Sequence, residues 1–152
     1  MPQKIRCQGA ILKGSRVLLI QHREHADGRS YWLLPGGEKE DGETVEEGVA
    51  REMSEETGLE VKVEQLLFDE EFEGEPKVYD RYLTYLCRII SGEPQPGYEP
   101  EVEASGLYSI TKVGWFDLRD EASWGDEILG DPITFDVMKK LQGKLLKDGE
   151  VI

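Results

Sequence analysis

The stretch from Gly37 to Leu59, GEKEDGETVEEGVAREMSEETGL, constrains this chain more than any other. Its residues dictate three consecutive pieces of local structure. Gly36-Gly37 after Pro35 predicts a turn that uses the positive φ only glycine accepts without strain. Thr44 followed by Glu47 has the form of a capping box, which marks a helix start. Val45, Val49 and Met53 recur every four residues and so share one apolar face of that helix. Gly58 supplies a C-terminal cap, and Leu59 restarts an apolar run. The stretch therefore reads as loop, helix and strand.

The polar face of the helix carries the chemistry. Glu52, Glu55 and Glu56 stand at i, i+3 and i+4, so their carboxylates fall on one patch about a turn long. Like charges at that spacing repel, and water or a cation must offset them. Oxygen-only donors suit Mg²⁺ or Mn²⁺, whereas Zn²⁺ more often takes His or Cys. Glu43 at the helix entrance adds a fourth carboxylate, and Arg51, beside Glu52, is expected to hold one carboxylate in position through a bidentate pair. A solvated acidic face would explain Glu55-Glu56 taken alone. It does not explain the whole pattern of Gly, five residues, Glu, seven residues, then Arg-Glu-apolar-x-Glu-Glu-x-Gly-apolar. Chance alone yields that pattern in roughly one chain in 10⁵ at ordinary residue frequencies.

Residues 37–59 resemble the Nudix box at every fixed position, and WLLPGG before it and KVGWFDL near the end resemble further runs of that family. The resemblance implies an α/β fold, an α/β/α sandwich around a mixed sheet, spanning residues 1–152 as a single domain. It also implies a Mg²⁺-dependent pyrophosphohydrolase, with Mn²⁺ as the other candidate metal, that cleaves a nucleoside diphosphate linked to another group. On that reading Glu52, Glu55, Glu56 and Glu43 hold the metal, and Arg51 orients them. The general base is either Glu55 or a glutamate of the loop after the long strand, where Glu99, Glu101 and Glu103 are candidates and Glu103 is taken as the example. Arg23, Gly36, Gly37 and Tyr82 are the candidate substrate-binding residues. A nucleoside triphosphate or dinucleoside polyphosphate is favoured as substrate. ADP-ribose or a nucleotide sugar is the alternative, and a non-catalytic nucleotide-binding module is the rival of another class. Pro76 and Tyr79 each lie near, but not at, a position that marks one substrate class, so neither decides the linked group.

The rest of the chain fits one domain of 152 residues. Ile5–Leu12 and Arg16–Gln21 predict a hairpin, and Tyr31–Leu34 a short strand into the box. Leu59–Phe72, Val78–Ile90 and Tyr108–Phe116 predict three further strands. Tyr79, Tyr82 and Tyr85 are available to line a pocket, either stacking on a base or simply packing. Ser91–Gly106 is the longest irregular run. Asp131-Pro132 opens a last helix, whose stripe Ile133, Val137, Leu141 and Leu145 is expected to face the sheet. His22 and His25 read as surface or loop residues rather than metal ligands. Cys7 and Cys87 read as buried free thiols of a cytoplasmic protein. A formal charge of −14 with no basic patch argues against nucleic acid as partner. No apolar run is long enough for a membrane span or a leader. A small nucleotide is the expected partner, with the chain a monomer or a homodimer.

Overall fold

The computed structural model describes residues 3–72, 78–98, 106–148 and 150–151. The expected loop glutamates Glu99, Glu101 and Glu103, and Pro76, lie outside the described residues. The elements in order are β1 (Ile5–Lys13), β2 (Arg16–Glu24), β3 (Ser30–Leu33), β4 (Gly36–Glu38), α1 (Val45–Thr57), β5 (Glu60–Glu71), β6 (Arg81–Ser91) and β7 (Tyr108–Asp117). A 3₁₀ turn at Glu121–Trp124, a short α2 (Asp126–Leu129), α3 (Pro132–Leu145) and a small β8–β9 pair (Leu146–Lys147, Glu150–Val151) complete the chain.

A mixed sheet of seven strands forms the middle layer. β1 runs parallel to β6, and the other pairings are antiparallel. The β1–β2 hairpin pairs only beside its turn, at Leu12 with Val17 and Lys13 with Arg16. Beyond that point the two strands part, β1 taking β4 and β6 as neighbours and β2 taking β3 and β7. The run Val17–His22 is buried throughout because helices cover both faces of the sheet. Alternation along the strands then sorts the side chains into two cores. Cys7, Ile11, Leu18 and Cys87 pack with Val49 and Met53 of α1, while Ala10, Val17, Leu19 and Trp32 pack with Met138, Leu141 and Leu145 of α3. The result is the expected α/β/α sandwich.

Helix α1 begins and ends as its residues dictate. Glu47 N donates to the Thr44 hydroxyl at 3.0 Å and Thr44 N to the Glu47 carboxylate at 2.8 Å, which satisfies two otherwise orphaned donors. Gly58 sits at φ 74° and returns its N–H to Ser54 O. Val49 and Met53 are fully buried, each worth about 1.5–3 kcal/mol of apolar burial. Helix α3 starts at the Asp131 cap with Pro132 in its first turn.

Four local expectations change. Gly36 and Gly37 do not form a positive-φ turn; they form β4, paired with Gln8 and Cys7 of β1. Glycine is needed there for close approach, since a Cβ on Gly36 would collide with the carbonyl oxygen of Cys7 and lie 2.7 Å from the Gln8 Cβ. The α3 stripe is rotated: Ile133 is 78% exposed, and Thr134 and Met138 are the buried residues of its first turns. Thr134 reaches inward because its hydroxyl donates to Trp32 O at 2.6 Å. Tyr85 is turned from Tyr82 onto α1, where its hydroxyl donates to Glu46 at 2.8 Å. Cys7 and Cys87 are buried and free, and burial pushes the Cys7 thiol up to about 11 and the Cys87 thiol up to about 12.

His22 is the fourth change. It lies inside β2 at 3% exposure, stacked on Tyr108 at 4.1 Å and edge-on to Tyr31 at 5.5 Å. Burial first, and the Arg6 charge second, push its pKa down to about 3. Its Nε2 is buried with no hydrogen-bond partner among the described residues. A histidine held neutral when folded but protonated when unfolded makes stability fall with acid: its contribution is complete above the unfolded value of about 6.5 and is lost as pH drops toward 3. His22→Phe keeps the stack and removes the titration. The wild-type unfolding free energy is therefore expected to decline more steeply than the variant's between pH 6.5 and 4.5, by at most about 1.4 kcal/mol per pH unit, as denaturant titrations across that range would show. Parallel curves would contradict this account.

Candidate active site

Two of the box carboxylates are not on the surface. Glu52 and Glu56, one turn apart on α1, are both 0% exposed. A buried carboxylate must be met by donors or opposite charge, and each of these is met differently. Glu56 Oε1 accepts the Gly36 N–H at 2.5 Å, so β4 supplies its donor. Glu52 accepts from Arg51 Nη1 at 2.9 Å, and the carboxylate lies so near β4 that a Cβ on Gly37 would stand 2.5 Å from it. Of the two glycines before the helix, Gly36 thus hydrogen-bonds one buried acid and Gly37 leaves room for the other.

Arg51 is the centre of the cluster. Its Nε and Nη2 donate to the two oxygens of Glu43 at 3.1 and 2.9 Å. Its Nη1 donates to Glu52 and also to Glu55 at 3.1 Å, and Nη2 donates to Glu38 O at 3.1 Å. The carboxylate held by the expected bidentate pair is that of Glu43. A planar fork with five donors spans several acids at once, and a lysine could not replace it. The hydrogen bonding of Arg51 to Glu43 is the main cause of a raised Arg51 pKa, and it also holds the Glu43 carboxyl below the usual range. Glu43 is fixed further by the Glu40 N–H at 2.7 Å. Gly48 leaves room for it, since a Cβ there would lie 2.9 Å from Glu43 Oε1.

The structure adds a residue that the sequence reading passed over. Arg6 on β1 is 7% exposed. It donates to Leu34 O at 2.9 Å, Gly36 O at 3.3 Å and Gln8 Oε1 at 3.0 Å, which pins the junction between β3 and β4. Burial works against its charge, but Glu56 and other neighbours offset that and leave its pKa raised. A cation in a strand otherwise buried on both faces was the available signal. Beside it, the rings of Tyr79 and Tyr82 meet edge to face at 5.6 Å, and the Arg6 guanidinium lies 5.9 Å from the Tyr79 ring. Arg23 is exposed on β2, in register with Ser30 and Ser109. His25 is exposed and bonded to Gly106 O and Ser109 Oγ.

Among the described residues no three His, Cys, Asp or Glu side chains stand together as a ready-made metal site. Glu43, Glu52 and Glu55 instead point at the Arg51 guanidinium. The donor set nonetheless fits a hard divalent cation, because every member is a carboxylate oxygen carried on α1 or at its entrance.

The model of the NUDIX domain family matches residues 5–130, and the chain belongs to the Nudix family. It is 35% identical over 122 residues to an ADP-ribose pyrophosphatase of Methanocaldococcus jannaschii, covering 76% of this chain and 71% of that one. It is 32% identical over 120 residues to the oxidized purine nucleoside triphosphate hydrolase of Mus musculus, covering 75% and 72%. The chain spans only 25% of another relative, a putative nudix hydrolase of Caenorhabditis elegans. Among solved structures, an ADP-ribose pyrophosphatase of Streptococcus suis superposes with a TM-score of 0.58 at 27% identity, over 78% of this chain and 77% of that one. The family and these relatives make this chain a hydrolase of pyrophosphate bonds.

Proposed function

We propose that residues 1–152 act as one catalytic domain that uses a divalent cation to cleave the pyrophosphate of ADP-ribose or a related nucleoside diphosphate sugar. The supporting observation is the cluster of Glu43, Glu52 and Glu55 around Arg51, with Glu56 buried one turn away. Similarity to the archaeal relative, an ADP-ribose pyrophosphatase at 35% identity, supports this linked group over the triphosphate that the sequence alone favoured. A nucleoside triphosphate is the second reading, supported by the mouse relative.

Glu52, Glu55 and Glu56, with Glu43, would hold Mg²⁺ or Mn²⁺, which when bound neutralises phosphate charge and acidifies water. The chain's own residues do the rest. Arg51 fixes three carboxylates so that they meet the substrate already oriented. Glu55, half-buried and carried on the last turn of α1, is the base that takes the proton from the attacking water. Gly37 lets backbone approach the cluster where a side chain would obstruct it, and Gly36 N–H donates to Glu56. Arg6, Tyr79 and Tyr82 form a cationic and aromatic face next to β4 that suits a nucleoside phosphate. Arg23 is a further candidate for the phosphates.

The test is a substrate panel. Purified protein is incubated in Mg²⁺ or Mn²⁺ with ADP-ribose, NADH, diadenosine polyphosphates and nucleoside triphosphates, and products are separated by chromatography. AMP and ribose 5-phosphate from ADP-ribose, faster than from the other substrates, is the expected result. Preferential release of pyrophosphate from a triphosphate would favour the second reading. Equal rates with and without a chelator would sink the metal-dependent mechanism.

A further inference from the structure

Helix α1 ends with carbonyls that no helical N–H can reach. Gly58 N takes Ser54 O at 3.0 Å, which leaves the carbonyls of Glu55, Glu56 and Thr57. Residues 92–98, GEPQPGY, leave β6 without regular structure and run back across this helix end. There Gln95 N donates to Thr57 O at 2.9 Å, Gly97 N to Glu56 O at 2.9 Å and Tyr98 N to Glu55 O at 3.2 Å. Each remaining carbonyl receives one donor from the same segment.

The residue order suits the task. Pro94 and Pro96 flank Gln95 and have no N–H to satisfy, while their fixed φ stiffens the segment before it docks. Gly97 is required by contact rather than by conformation. A Cβ there would collide with the Glu55 carbonyl oxygen and lie 2.7 Å from Glu56 Cα, so it would meet backbone that cannot rotate away. Over the helix end, a Cβ on Gly58 would stand 3.2 Å from the Gln95 side chain. The turn of α1 clamped in this way is the one whose side chains are Glu55, bonded to Arg51, and Glu56, bonded to Gly36 N.

We propose that residues 95–98 form a strap that sets the position of Glu55 and Glu56, with Gly97 as its positioning residue. The inference rests on the reading of those glutamates as part of the hydrolytic centre. A free helix end frays by a residue or two, and fraying here would move both carboxylates. The strap removes that freedom through backbone hydrogen bonds alone, without touching substrate.

Two variants test it. Gly97→Ala forces strap and helix apart; Pro96→Gly adds no bulk and only loosens the strap. Each is assayed on the panel substrate turned over fastest, and its Mn²⁺ affinity is measured by electron paramagnetic resonance. For Gly97→Ala, kcat is expected to fall roughly 10- to 100-fold, as misplacement near 1 Å does, with KM nearly unchanged and weaker Mn²⁺ binding. Pro96→Gly should move both quantities the same way, by about two- to fivefold. Wild-type kcat and Mn²⁺ affinity in Gly97→Ala, with only the melting temperature lowered, would make the strap a structural cap and overturn the proposal. Should Gly97→Ala fail to fold, unchanged kcat and Mn²⁺ affinity in Pro96→Gly would overturn it. Glu56→Gln, run in parallel, separates the two levels. If it retains wild-type kcat, the reading of the centre fails; if it loses kcat while both strap variants retain it, only the strap fails.

Discussion

Glu56→Gln is expected to lower kcat at least about 100-fold while the protein stays folded. Cation ligands supply several kcal/mol of charge stabilisation in phosphoryl chemistry, and each 1.36 kcal/mol is tenfold in rate. Glutamine keeps the size of the side chain and a carbonyl oxygen able to accept the Gly36 N–H, so the bond at 2.5 Å has a substitute. It loses the negative charge needed to hold a cation. Two electrostatic effects on stability oppose each other. Removing the charge relieves repulsion with Glu52 one turn away, but it deprives buried Arg6 of the carboxylate that most raises its pKa. Melting temperature and steady-state rate measured on one preparation separate folding from chemistry. A variant that turns over like wild type would mean that Glu56 is only a structural acid behind β4.

The largest expected stability effect belongs to Arg51→Met. Methionine fills much of the same volume but leaves Glu43, Glu52 and Glu55 without their shared cation. Glu52 is fully buried, and removing one partner of a buried ion pair costs roughly 3–5 kcal/mol. Arg51 and Glu55 are partly exposed, so the lower figure applies, and the melting temperature should fall by roughly 6–12 °C for a domain of this size. Added Mg²⁺ should restore part of the loss, because a cation can replace the guanidinium charge; binding at 100 times its dissociation constant contributes about 2.7 kcal/mol. Calorimetry with and without Mg²⁺ checks both statements. An unchanged melting temperature would show that solvent already screens the cluster.

The parts of this fold most legible in the sequence are those set by local rules. The Thr44–Glu47 box, the Gly58 cap, the Val49–Met53 face and the Asp131-Pro132 start depend on residues within a turn of one another, and each appears where the residues require it. The changed expectations depend on partners distant in the chain. Gly36 and Gly37 look like a turn until β1 is laid beside them, after which their missing side chains explain a close strand pairing. His22 follows an apolar run and precedes a polar loop, and only the rings of Tyr31 and Tyr108 draw it inside. Ile133 satisfies the spacing of an apolar stripe, yet the hydroxyl of Thr134 bonding Trp32 O rotates the helix start away from it. The candidate site follows the same division. Spacing on one helix predicted that Glu52, Glu55 and Glu56 would be neighbours. It did not show that two are buried, that Arg51 grips Glu43 through two nitrogens, or that Arg6 of β1 and the irregular 95–98 strap approach from elsewhere in the chain.

The central claim is that the carboxylates of α1 are where the cation binds. Its most direct test is an anomalous difference map from crystals soaked in Mn²⁺, recorded near the manganese edge. The account predicts a strong peak against the carboxylates of Glu52 and Glu56, with Glu55 or Glu43 completing the ligand set. A strong peak elsewhere, with Glu43, Glu52 and Glu55 still bonded to Arg51, would contradict it.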